Sequence, residues 1–143
     1  MNFAAGPLRG PTAPRRKKAR FFPPVKAYIV EDNALIRNNL VDTLTELAGV
    51  QTIGFSETEQ DACAWLVQHP ADWQLLIVDL FLLQGSGLGV LRNCGTHKPG
   101  QRVVVLSNYA TAEIRQRCMA VGADAVFDKS TELDQFLAFC RLH

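Results

Sequence analysis

The sequence predicts a doubly wound α/β domain, a five-stranded parallel sheet with helices on both faces. Three observations carry that prediction. From Val25 onward, short apolar runs alternate with stretches of helical spacing five times over, the pattern of βα units in one sheet. The central run, Leu75-Leu76-Ile77-Val78-Asp79-Leu80-Phe81-Leu82-Leu83, is nearly all apolar and breaks into Gln84-Gly85-Ser86-Gly87. A buried parallel strand running into a loop reads this way. Finally, the strands end in residues that carry chemistry: Glu31-Asp32, Asp79, Ser107 and Lys129.

The elements follow in order. Val25–Val30 is a short apolar strand ending in Glu31-Asp32-Asn33. The spacing of Leu35, Leu40, Leu44 and Leu47 predicts a helix over Ala34–Ala48, stopped by Gly49. Val50–Phe55 reads as the second strand. Thr58–Gln68 is a helix with Ala62, Trp65 and Leu66 inward, halted near Pro70. Trp73–Leu80 is the central strand, and Leu88–Asn93 a short helix closed by Gly95. Arg102–Leu106 is a Val-rich strand ending at Ser107; Ala112–Val121 is a helix stopped by Gly122. Ala125–Phe127 is the fifth strand. Leu133–Leu142 is the final helix, with Leu133, Phe136, Leu137 and Cys140 on one face. No internal repeat is visible.

At 143 residues the chain is long enough for one domain with a real core and short for two. Its four cysteines are widely spaced, form no CxxC pair, and suit neither a zinc site nor a disulfide framework; they fit a reducing cytoplasm. No stretch has the roughly 18 apolar residues of a membrane span, and the start lacks a signal core.

The net charge of +1 hides an asymmetry. Residues 1–26 hold seven bases and no acid, which leaves eight bases against 14 acids in 27–143, a net of −6. Residues 1–24 hold five of the seven prolines. This segment cannot easily bury a core, so a disordered tail is expected over 1–24 and a folded domain over 25–143. The cluster Arg15-Arg16-Lys17-Lys18-Ala19-Arg20 could meet nucleic acid or an anionic membrane, but a solvated extension accounts for it as well.

Asp79 is the most informative residue. Burying a lone carboxylate costs several kcal/mol unless cations or hydrogen bonds compensate. At the carboxyl end of a central strand it stands where open α/β sheets bind ligands. All the strand ends of a parallel sheet share one edge, so Glu31, Asp32, Asp79, Ser107 and Lys129 converge. Clustered carboxylates repel unless they share protons or hold a cation, and hard oxygen ligands suit Mg²⁺. A hydroxyl and a lysine beside such a cation suit phosphoryl oxygens. Each residue has a plainer explanation: Asp32 could cap the next helix, Ser107 could merely end a strand, and Lys129 could lie on the surface. Their coincidence at four strand ends favours the functional reading.

With these motifs the chain resembles the receiver domains of bacterial two-component response regulators over about residues 25–143. The resemblance rests on Glu31-Asp32, on Asp79 in Val-Asp-Leu, on Gly87-Leu88, on Ser107, and on Gly122-Ala123-Asp124 leading to Lys129, 22 residues after Ser107. It implies a flavodoxin-like (βα)5 fold and phosphotransfer from a histidine kinase or phosphotransfer protein to Asp79. It also implies Mg²⁺ held by Asp32, Asp79 and the backbone carbonyl of Phe81, with Glu31 acting through water. Ser107 and Lys129 would bind the phosphoryl oxygens. Phe81 and Tyr109, two residues after Asp79 and Ser107, would flank the path of an attacking water and shield the acyl phosphate.

Several positions depart from the family pattern. Leu83 and Ser130 stand where prolines are common. Val126 replaces an aromatic that swings inward on activation, and Asn108 replaces a small residue. The last two changes bear on signal transmission rather than on phosphorylation. The chain ends at His143, so a stand-alone receiver without a DNA-binding output domain is expected. Its output would be a contact with an unknown downstream protein, or a homodimer, through the last two helices. Two other classes fit parts of the pattern: a receiver-like binding module that works without phosphorylation, and a phosphohydrolase with an aspartyl intermediate. The second usually needs an acid where Phe81 stands.

Overall fold

The computed structural model describes residues 23–94 and 97–141. The expected tail through residue 22, the helix stop at Gly95 and a last helix reaching Leu142 lie outside the described residues.

Five βα units follow one another. Strand β1 spans Val25–Val30, helix α1 Ala34–Ala48, β2 Val50–Ser56, α2 Glu59–Gln68 and β3 Leu75–Asp79. Then come α3 at Gly87–Cys94, β4 at Arg102–Ser107, α4 at Ala112–Ala120, β5 at Ala125–Asp128 and α5 at Leu133–Arg141. All strand pairs are parallel, in the order β2-β1-β3-β4-β5. This is the flavodoxin-like doubly wound fold the sequence predicts. The strand order reverses between β1 and β3, and ligands of such sheets bind at the crevice outside that point.

Side-chain alternation along the strands builds two cores. Tyr28, Val30, Leu76, Val78, Val103 and Val105 face α2, α3 and α4, where Ala62, Leu66, Val90, Leu91 and Cys118 meet them. Ala27, Ile29, Leu75, Ile77, Val104 and Leu106 face α1 and α5, against Leu44, Phe136, Leu137 and Cys140. Both faces of β1, β3 and β4 are therefore apolar, which explains the continuous apolar runs. Burying each Ile or Leu contributes about 1.5–3 kcal/mol.

Several boundaries moved. The central strand begins at Leu75 and ends at Asp79; Trp73 is buried ahead of it and Leu80 just beyond it. Helix α1 turns a different stripe inward. Arg37, Leu40, Val41, Leu44 and Ala48 form the covered face, while Leu35 is 70% and Leu47 56% exposed. In α5, Phe136, Leu137 and Cys140 are buried as expected, but Leu133 is 42% exposed. Thr58 caps α2 from outside it, accepting from the Asp61 N–H. Gly49 ends α1 in the left-handed region (φ 64°), donating to the Leu44 carbonyl.

Among the described residues, no helix is long and apolar enough to cross a membrane. Cys63, Cys118 and Cys140 are free thiols. Burial pushes the Cys140 thiol up to about 12, so it stays protonated and unreactive at neutral pH.

Candidate functional site

The site is built at the carboxyl ends of β1, β3 and β5. Glu31 and Asp32 directly follow β1. Asn33 then caps α1, its side-chain oxygen accepting from the Ile36 N–H at 2.9 Å. That assignment removes the plainer explanation of Asp32, which is not the cap. Glu31, Asp32 and Asp79 each offer a carboxylate oxygen, and these oxygens all lie within 4.8 Å of one another.

Hydrogen bonds hold each carboxylate. Glu31 is buried; its Oε2 accepts from the Asn33 N–H at 3.1 Å and its Oε1 from Lys129 Nζ at 3.0 Å. Asp32 Oδ2 accepts from the Leu83 N–H at 2.6 Å. Asp79 Oδ1 accepts from the Phe81 N–H at 3.3 Å, and its Oδ2 lies 3.3 Å from Lys129 Nζ. A proline at position 83 could not make the bond to Asp32, so this departure from the family pattern ties the loop after β3 to the acidic pair.

The electrostatics follow from burial and crowding. Burial raises the Glu31 carboxyl above its ordinary range, against the pull of the Asn33 N–H and Lys129; the Asp79 charge adds to the rise. Burial alone would lower the Lys129 ammonium, but Asp79 and Glu31 together outweigh it and leave Lys129 above its ordinary value. Lys129 thus stays charged between two acids.

Backbone geometry requires glycine at the first residue of α3, where the loop after β3 ends. The Gly87 N–H donates to the Leu80 carbonyl at 2.9 Å, folding the loop back onto the strand end. A Cβ at Gly87 would lie 2.3 Å from the Asp79 carbonyl oxygen and 2.8 Å from Leu80 Cα. The Gly87-Leu88 motif therefore marks a close approach of backbone to the strand that bears Asp79.

An open cleft of about 450 Å³ lies over these residues, lined by Glu31, Asp32, Asp79 and Lys129 and by Phe81, Leu83, Asn108 and Tyr109 among others. Phe81 and Tyr109 are 54% and 67% exposed, and their rings meet edge to face with centroids 6.0 Å apart.

Of the residues singled out from the sequence, Glu31, Asp32, Asp79, Phe81 and Lys129 come together around this cleft. Ser107 does not line it. It is fully buried at the end of β4, and its Oγ accepts from the Tyr109 N–H at 3.1 Å. Sequence reasoning missed Arg37. This buried side chain donates to the Glu31 carbonyl at 2.8 Å and to Glu57 at 3.1 Å, and stacks over Phe55 at 3.8 Å. The available signal was a cation at the helical position that completes the stripe with Leu40, Val41 and Leu44.

Three carboxylates and a lysine gathered at the carboxyl edge of a parallel (βα)5 sheet define a doubly wound domain with a charged site at its strand ends. The family model of the response regulator receiver domain matches residues 27–141, and the chain belongs to that family. It is 29% identical over 111 residues to the protein-glutamate methylesterase/protein-glutamine glutaminase 5 of Myxococcus xanthus, covering 77% of this chain and 31% of that protein. It is 27% identical over 114 residues to the transcriptional regulatory protein PhoP of Escherichia coli K12, covering 80% of this chain and 49% of PhoP. The chain therefore spans at most about half the length of these curated relatives.

Solved structures agree in fold. The CheX–CheY–BeF3–Mg complex of Borrelia burgdorferi superposes with a TM-score of 0.74 at 18% identity, over 84% of this chain and 89% of that one. A response regulator of Burkholderia pseudomallei, solved with a phosphorylated aspartic acid, calcium ion and citrate, gives a TM-score of 0.67 at 23% identity, over 80% and 65%.

Proposed function

We propose that this receiver domain takes a phosphoryl group on Asp79 from a histidine kinase or phosphotransfer protein and signals through a protein contact. The observation that carries the reading is the Asp79 carboxylate held between a lysine ammonium and two further acids at an open cleft.

Oxygen-only donors within 4.8 Å of one another fit a small hard cation such as Mg²⁺. Asp32 and Asp79 would hold it, with the Phe81 carbonyl as a further donor and Glu31 acting through water. A bound Mg²⁺ supplies charge neutralisation as phosphoryl oxygens approach the acids. Asp79 is the nucleophile: one carboxylate oxygen bonds to phosphorus as the donor's phosphorus–nitrogen or phosphorus–oxygen bond breaks, and the electron pair leaves with the donor. The Phe81 N–H and Lys129 orient that carboxylate from its two oxygens. Lys129 offers its positive charge to the phosphoryl oxygens. Ser107 would bind a phosphoryl oxygen by turning its hydroxyl outward from its bond to the Tyr109 N–H.

The downstream contact falls to the last two helices. Their exposed faces are mostly polar, with Met119 and Leu133 the larger exposed apolar groups. That composition suits a transient partner better than a permanent homodimer, whose interfaces are more apolar.

Incubation with acetyl phosphate and Mg²⁺, followed by intact-mass measurement, tests the proposal. A stable gain of one phosphate in the wild type and none in Asp79→Asn is expected. No gain in the wild type would favour a module that works without phosphorylation, and steady donor turnover a phosphohydrolase.

A further inference from the structure

Arg115, on α4, reaches three separate segments with one guanidinium. Its Nε donates to the Ala110 carbonyl at 2.8 Å, one amino group to the Val126 carbonyl at 2.9 Å, and the other to Glu132 Oε1 at 2.6 Å. The same Glu132 oxygen accepts from the Asp128 N–H at 2.9 Å. Glu132 also begins the turn into α5, its carbonyl accepting from the Phe136 N–H at 3.0 Å. Arg115 holds the Glu132 carboxyl below its ordinary range.

These partners flank the cleft on two sides. Ala110 directly follows Asn108 and Tyr109, which line the cleft. Val126 and Asp128 precede Lys129, which lines it from the other side. The Val126 side chain is a buried aliphatic with no polar atom, so what can be held at that position is its carbonyl. A planar fork with fixed donor directions makes these three bonds at once only while the 107–111 loop, β5 and the start of α5 keep their relative positions.

We propose that Arg115 is a positioning residue that couples the phosphorylation cleft to α4 and α5, so that any shift of the 107–111 loop toward a phosphoryl group moves both helices together. The inference rests on the phosphoacceptor reading of the same cleft. A loop that moved without Arg115 would have to give up the Ala110 bond while the guanidinium stayed bound to β5 and Glu132. Moving as a unit keeps all three bonds and carries the change to the surface.

The test uses the full chain with beryllium trifluoride and Mg²⁺ as the probe. Bound fluoride is read by ¹⁹F NMR, and amide hydrogen exchange is followed over 112–120 and 133–141. In the wild type, the probe should change exchange in both helices. In Arg115→Met it should still bind, while the change over 133–141 shrinks by about fivefold or more, the low end of measured couplings between sites. Glu132→Gln keeps shape and loses charge, and should show the same loss in weaker form, so the inference stays testable if Arg115→Met folds poorly. Equal exchange changes in the wild type and both variants, with the probe bound to all three, would overturn the coupling. The same holds if the wild type binds the probe with no change in either helix. A wild type that binds no probe would overturn the phosphoacceptor reading and this inference with it.

Discussion

Lys129 Nζ lies 3.0 Å from Oε1 of Glu31, a contact across 98 positions of sequence that joins the ends of β1 and β5. The same ammonium sits 3.3 Å from Asp79 Oδ2. One cation thus holds two acids that would otherwise repel.

Removing that cation should cripple phosphotransfer. Lys129→Met is expected to slow phosphate uptake from acetyl phosphate by about 10²-fold, the usual effect of losing one electrostatic donor at a reacting oxyanion. The rate of mass gain measures it; an unchanged rate would remove Lys129 from the reaction.

The two raised pKa values act on stability in different windows. Folded Glu31 keeps its proton to higher pH than the unfolded chain, so the native state binds more protons above the ordinary value of 4.5. Stability should therefore fall as pH rises from there through its folded value. The Lys129 contribution is fully present below 10.5 and is lost as pH climbs through its raised folded value. Urea midpoints against pH for wild type and Glu31→Gln would show this: the acid-side decline should be absent in the variant.

Mg²⁺ should raise the melting temperature of the wild type by mass action on the native state. In Asp32→Ala the rise should vanish, because a donor oxygen is lost from the triad. An undiminished rise, followed by thermal melts across a Mg²⁺ titration, would mean that the ion binds elsewhere.

Gly87→Ala should lower the unfolding midpoint and slow phosphate uptake together. Its Cβ meets backbone on the strand that carries Asp79, and neither the Asp79 carbonyl nor Leu80 Cα can move aside alone. Overpacking of this kind costs about 1–3 kcal/mol. Chemical denaturation alongside the uptake assay would detect both effects.

Dephosphorylation should be slow. Phe81 and Tyr109 pair edge to face beside the cleft, and neither is suited to position an attacking water. The double variant Phe81→Asn with Tyr109→Glu should lose its phosphate about tenfold faster, a modest share of what a positioned polar group contributes to such a step. Equal decay of the two phosphorylated proteins would end the shielding argument.

Much of this was legible in the chain itself. The βα alternation, the glycine stops at Gly49 and Gly122, and the acids at the ends of β1 and β3 are local patterns, set by periodicity and by the cost of placing charge beside an apolar strand. Chain order made it possible to gather Glu31, Asp32, Asp79 and Lys129 at one edge, because parallel strands share their carboxyl ends. Tertiary structure decided what depends on packing between distant segments. It turned Arg37 rather than Leu35 and Leu47 toward the sheet, since only the long guanidinium stem could cover the core edge and still reach the Glu31 carbonyl. It buried Ser107 against its own loop and brought Phe81 and Tyr109 together from the loops after β3 and β4. It also set Arg115 among three segments, each reached by a hydrogen bond whose geometry no spacing rule encodes. Periodicity is written residue by residue, whereas the partner of a polar side chain is fixed only when the whole sheet has closed around it.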